Sequence, residues 1–185
     1  EGPKIEEATV KYEKAFLDSK FKADLEERFG SYLIKKYEND LLTFKPEIME
    51  DLVEESKLSI EYQKLIASCQ KEWDGEKLNL TQLGKHTQDK DRDTRKKATK
   101  LVAEFFEENL DKFDEIYDNM VKVRDRMAKK LGYENYVDLG YKRMGRVDYG
   151  KDEVASYRKQ IIEDVVPLAT ELRKRQSKRI GIDDL

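Results

Sequence analysis

Few residues in this chain are of types suited to chemistry. One histidine, His86, and one cysteine, Cys69, stand well apart in a chain of 185 residues. A zinc ion takes three or four ligands from His, Cys and carboxylates, so a site at His86 would need two or more acids beside it. A solvated loop histidine is the simpler reading. A thiolate nucleophile wants a histidine partner, and His86 is the sole candidate for Cys69. The acids Glu104, Glu107, Glu108, Asp111, Asp114 and Glu115 recur at helical spacing and raise the idea of a carboxylate di-iron bundle. That class also needs Glu-x-x-His steps on facing helices, and the sequence has none. These acids fall mostly opposite Leu101, Phe105 and Phe113, so they read as a solvated face. Arg173, Lys174, Arg175, Lys178 and Arg179 crowd one stretch and could touch nucleic acid. On a helix they spread around the circumference, and the acidic segment 47–55 offsets their field. A basic helix end favoured by the macrodipole is the better account. With neither a Gly-x-Ser-x-Gly elbow nor a Walker-type loop in the sequence, no catalytic, cofactor-binding or metal residue is assigned.

The composition limits what scaffold could carry such groups. Lys and Arg number 37 against 40 Asp and Glu, a formal charge of -3, so the total implies no polyanion partner. Charged residues make up 42 %, well above the roughly 25 % of ordinary domains. Mean hydropathy is -0.89, yet 10 % aromatic residues and near-zero net charge favour a buried core over disorder. With 9 Gly and 3 Pro, the chain lacks the turn punctuation of sandwiches and barrels. A mainly α protein remains. A lone cysteine suits a reducing compartment, and no apolar run approaches the roughly 18 residues of a membrane span. The opening residues lack the pattern of a signal peptide. A cytoplasmic protein with no membrane partner is expected. The first residue is not Met and residues 181–185 stop in a loop, so a piece of a longer protein is expected too.

Along the chain, a first helix is expected to residue 17 and a second over 19–42, with Phe21, Leu25, Phe29, Tyr32, Leu33 and Tyr37 on one face and Gly30 within it. Pro46 suits a helix start. From there Ile48, Met49, Leu52, Val53, Ser56, Ile60 and Leu65 form a stripe to residue 67. The one β signal is a small hairpin near 66–80, with Asp74-Gly75 supplying a type I′ turn. Residues 91–131 read as one helix of about 40 residues, or about 60 Å. Its core positions would be Ala98, Leu101, Val102, Phe105, Leu110, Phe113, Ile116, Tyr117, Met120, Arg124, Met127 and Leu131, and Gly132 ends it. A short helix over 135–141 follows. A last helix over 151–180 contains Pro167, which should kink it. Its stripe of Val154, Tyr157, Ile161, Val165 and Leu168 has nothing after it to pack against. The whole of 1–185 reads as one helical region with the hairpin inserted between helices.

Five pieces in order carry a family resemblance. The hairpin text from Cys69 through Trp73, Asp74, Gly75, Leu78 and Leu80 to Leu83 resembles the strand–turn–strand of oligoendopeptidase F-type zinc metallopeptidases, relatives of thimet oligopeptidase. It is followed by 91–98 (Asp-Arg-Asp-Thr-Arg-Lys-Lys-Ala) and 124–136, which opens Arg124-Asp125-Arg126-Met127. Then come Met144-Gly145-Arg146-Val147-Asp148-Tyr149 and Val165-Val166-Pro167-Leu168. The likeness covers roughly 40–185. It implies a large helical enzyme with an internal cleft, which cleaves short peptides in the cytoplasm through a zinc-bound water. The family's His-Glu-x-x-His motif, which places two ligands on one helix face, is absent from this sequence and in the family lies C-terminal to everything matched. The resemblance therefore implies a non-catalytic N-terminal-side part that forms cleft wall and scaffold. It would bind no zinc itself, and its partner would be the remaining catalytic half. A stand-alone helical interaction or scaffold protein is the alternative, and a nucleic-acid module using 173–179 ranks last.

Overall fold

Lys, Glu and Leu are abundant in the segments between the few glycines and prolines, and straight-chain residues of this kind lose little freedom in a helix. The computed structural model describes residues 2–182. Its helices are α1 (Gly2–Leu17), α2 (Lys22–Phe29), α3 (Ser31–Leu41), α4 (Met49–Ala67), α5 (Leu80–His86), α6 (Arg92–Glu108), α7 (Leu110–Lys130), α8 (Tyr136–Arg143), α9 (Lys151–Gln160) and α10 (Val166–Ile180). Strands β1 (Lys71–Trp73) and β2 (Glu76–Leu78) form an antiparallel pair between α4 and α5. The mainly α class is what the composition implies, and the one small hairpin is what the Asp74-Gly75 turn signal implies. Of the terminal loop expected at 181–185, residues 183–185 lie outside the described residues.

The chain folds as two compact units, one of residues 1–7 and 45–136, the other of 8–44 and 137–185. In the first, α4 packs along α7, and α5 packs on α6. Its buried side chains include Ile48, Leu52, Leu58, Leu83, Ala98, Phe105, Ile116, Val123 and Met127. In the second, α2 folds against α3, and Ile34, Phe44 and Leu139 are buried.

Several boundaries differ from the sequence expectation for local reasons. The helix expected over 19–42 breaks at Gly30, whose φ of +81° ends α2 and precedes α3. The break leaves Phe21, Phe29 and Tyr32 exposed and turns Ile34 inward. The long helix expected over 91–131 is two helices. At Asn109 the backbone leaves helical geometry (φ -115°, ψ 13°), and the Asn109 side-chain amide donates to the Phe105 carbonyl at 2.8 Å. The side chain thus takes the acceptor that the Asn109 backbone N–H would use in an unbroken helix. The bend packs Phe106 on Phe113 with ring centroids 5.3 Å apart. It also shifts the buried face of α7 to Ile116, Val123, Met127 and Ala128, leaving Leu110 and Tyr117 outside.

The hairpin is shorter than expected over 66–80. Helix α4 holds through residue 67, and Asn79 starts α5 with a reciprocal cap: its side chain accepts from the Gln82 N–H and its own N–H donates to the Gln82 side chain, both at 2.9 Å. Between them Lys71 pairs with Leu78 and Trp73 with Glu76. The turn has positive φ at both Asp74 (50°) and Gly75 (90°), as a type I′ turn requires.

The last helix accommodates Pro167 through a π turn over Ile161–Val165. The Val166 N–H reaches back five residues to the Ile161 carbonyl, so the helix widens where proline can neither donate nor tolerate the normal carbonyl position. Gly181, in the left-handed conformation, closes α10.

Candidate functional site

Each chemically capable residue has a definite place. His86 closes α5, and its ring stacks on Trp73 of β1 with centroids 4.4 Å apart and planes 22° from parallel. Lys97 of α6 sets its ammonium 4.4 Å from the same Trp73 ring and bonds Asp74 at 2.7 Å, tying the hairpin to α6. His86 is thus engaged in packing, as the solvated-loop reading did not foresee. Cys69 is buried ahead of β1. Burial pushes its thiol above the ordinary value, with Lys71 and Glu108 as opposing charged neighbours, so the thiolate a nucleophile needs is disfavoured.

The acids of α6 and α7 are where sequence reasoning puts them. Glu107, Asp111, Asp114 and Glu115 are exposed, Glu108 bonds Lys71 at 2.6 Å, and Glu104 is half-buried beside Lys100. Arg173, Lys174, Arg175, Lys178 and Arg179 are exposed on α10, with Arg175 paired to Glu171 at 3.1 Å. Among the described residues, no three His, Cys, Asp or Glu side chains gather as a group that could hold a metal ion.

A dense polar cluster involves acids of the 47–55 segment, which sequence reasoning used only as a charge offsetting the basic stretch. The face of α4 turned inward carries Asp51, Leu52, Glu55 and Leu58, whereas Val53, Ser56 and Ile60 of the expected stripe point out. Asp51 is 2 % exposed and accepts from Arg126 Nε and Lys130 Nζ of α7, each at 2.6 Å. Arg126 also reaches Glu54, and Arg124 Nε donates to Glu55 at 2.7 Å with its guanidinium 5.3 Å from the Tyr136 ring. Burial pushes the Asp51 carboxyl up, but the bonds from Lys130 and Arg126 outweigh it and hold it below the ordinary range. The available signal was Arg124 on the α7 stripe, a charge in a core position that needs an acid opposite. This cluster clamps two helices together.

Two open grooves adjoin Tyr62. One, of about 360 Å³, lies between α4 and α7, with Tyr62, Phe113, Tyr117 and Met120 as walls and Ser59 and Asp114 as polar groups. The other, of about 440 Å³, lies where the end of α4 meets α5, between Tyr62, Ile66, Leu80 and Thr81. Both are apolar surfaces without a paired nucleophile and base. A further apolar surface runs along 151–180, where no residue is buried: Tyr157 is 63 % and Leu168 60 % exposed, Val165 is exposed, and Val154 and Ile161 are half-exposed. That matches the uncovered stripe expected there.

The comparisons accord with this geometry. A family model for the peptidase M3 N-terminal domain matches residues 1–44. A solved structure described as an oligoendopeptidase F is 42 % identical, superimposes with a TM-score of 0.91, and is matched over 100 % of this chain and 33 % of its own. An oligoendopeptidase F from Bacillus anthracis is 43 % identical with a TM-score of 0.91, over 99 % of this chain and 34 % of its own. PZ peptidase A, solved with an inhibitor, is 44 % identical with a TM-score of 0.90, over 98 % of this chain and 32 % of its own. No curated protein matches the chain. The chain thus spans about a third of the length of the solved relatives it matches.

Proposed function

The chain belongs to the oligoendopeptidase F-type M3 peptidases as an N-terminal part, and from that premise we propose that it forms wall and scaffold of a cytoplasmic zinc endopeptidase acting on short peptides. The observation that carries this reading is the uncovered apolar stripe of α9 and α10 in a chain a third as long as its relatives. Monomers rarely leave a contiguous apolar face of this kind without an interaction role. The remaining two-thirds of the enzyme is its partner.

The residues present do not fit the zinc. His86 is stacked on Trp73, Cys69 is buried, and no third donor joins either among the described residues. The metal and the general base therefore belong to the remaining part, and this chain contributes surface and rigidity. The clamp between α4 and α7 supplies that rigidity. The cytoplasmic assignment rests on the single buried thiol.

The experiment is reconstitution. The dialysed chain alone is expected to hold no stoichiometric zinc and to leave a fluorogenic peptide uncut. Co-expressed with the C-terminal two-thirds of a relative 42–44 % identical, it is expected to form a one-to-one complex with chelator-sensitive cleavage. One tightly held zinc with turnover by the chain alone, or failure to bind the complementary part, overturns the proposal.

A further inference from the structure

The second unit buries a carboxyl group that the peptidase reading does not use. Glu13 of α1 is 4 % exposed, and its Oε2 atom is buried without a hydrogen-bond partner. Facing it from α3 are Asp40 and Lys36, which bond each other across one helical turn. The flanking rings are Tyr12 of α1 and Tyr37 of α3, 6.3 Å apart by centroid, and Phe16 lies 5.1 Å from Tyr37. Burial pushes the Tyr37 hydroxyl above its ordinary value, so that ring stays neutral. The local charge count is then two carboxyls against one ammonium. Lys36 is bonded to Asp40 and only partly offsets a second negative charge on the more deeply buried Glu13.

We propose that Glu13, sealed in the core with one oxygen unpartnered, takes up a proton that it donates as a hydrogen bond to Asp40, and so acts as a pH-sensitive latch between α1 and α3. A neutral acid can donate one O–H bond and leave one carbonyl oxygen unpaired at modest cost. A carboxylate in the same place loses that bond, faces the Asp40 charge, and is buried with only the shared Lys36 to offset it. Burial first, and then the Asp40 charge and hydrogen bond, push the Glu13 carboxyl up, with Lys36 opposing them. The sign follows from linkage. A carboxyl raised on folding stabilises fully below its ordinary range, and that contribution is lost as pH rises through the folded value. Loss of the proton loosens residues 8–17 of α1, whose other described ring contacts to α3 run through Tyr37.

The test compares the chain with Glu13→Gln, whose amide can donate to Asp40 at every pH. Thermal midpoints are measured from pH 4 to 9, with hydrogen exchange of residues 8–17 and infrared spectra of protonated carboxyls. The parent midpoint is expected to fall with rising pH relative to the variant, by roughly 3–5 °C for each unit of displaced titration. Exchange in residues 8–17 should rise with pH beyond the intrinsic rate in the parent only, and a protonated-carboxyl band at pH 6 should vanish in Glu13→Gln. Asp40→Asn, which removes the like charge, should shrink the same slope and serves if Glu13→Gln folds poorly. Identical pH slopes in parent and variants, or no band lost at pH 6, overturn the proposal.

Discussion

Replacing Asp51 by Asn removes one charge from the clamp between α4 and α7 while keeping the shape of the side chain. In the parent, Asp51 is nearly sealed and accepts from both Arg126 and Lys130 at 2.6 Å. Breaking a buried ion pair from one side commonly costs about 3–5 kcal/mol, because the other charge is left uncompensated. The upper part of that range does not apply here. The Arg126 and Lys130 side chains are 43 % and 37 % exposed and can turn to water, and Arg126 keeps Glu54. The expected loss is therefore about 2–3 kcal/mol at pH 7, or roughly 5–10 °C in thermal midpoint for a chain of this size. A pH scan supplies an independent check. Because Lys130 and Arg126 hold the carboxyl below its ordinary range, its stabilisation is present above about pH 4 and disappears as pH falls through the folded value. The parent should approach the variant in strong acid, with the gap between them closing below about pH 4. Urea unfolding of both proteins from pH 2 to 7 measures it. A difference under about 0.5 kcal/mol at pH 7, or a gap that stays constant into acid, refutes the account of this cluster.

Two further outcomes follow from local geometry. Gly75→Val should cost about 1 kcal/mol or more, since Gly75 has a φ of +90° and a Cβ there would meet nothing within 4 Å, so the penalty is backbone strain alone; an unchanged midpoint in thermal unfolding would exclude the type I′ turn. The exposed stripe of the last helix should bind a hydrophobic dye or drive self-association of the isolated chain, and Val165→Glu with Leu168→Glu should abolish either effect without lowering the midpoint, because neither side chain is buried; a parent chain that stays monomeric and binds no dye refutes it.

Much of this fold can be read from neighbouring residues alone. Type I′ turns need two positive φ values, and Asp74-Gly75 is among the few pairs that adopt them with little strain. Gly181 ends α10, Pro46 opens the turn of 3₁₀ helix before α4, and the apolar stripe of the last helix stays bare. Each depends on residues a few positions apart, so periodicity and turn chemistry are enough. The order of five short segments likewise carried the family resemblance, which the structural matches support over the whole chain.

What periodicity missed depends on partners far along the chain. Asp51 and Glu55 look like surface acids in α4, and only the approach of Arg124, Arg126 and Lys130, some 70 residues later, makes inward burial tolerable. Once those acids face inward, Val53 and Ile60 must face out, because one helix rotation decides all positions together. Glu13 is the same case in the second unit, an acid whose burial is invisible until α3 brings Asp40 and Lys36 to it. The break at Asn109 sits between these extremes: its side-chain bond to Phe105 is local, but an Asn within a helical pattern can hold or break the helix. The break goes with ring contacts of Phe105 and Phe106 to Phe113 across it. A helical period fixes which residues share a face, whereas the direction that face turns is set by whichever distant charges and rings arrive to meet it.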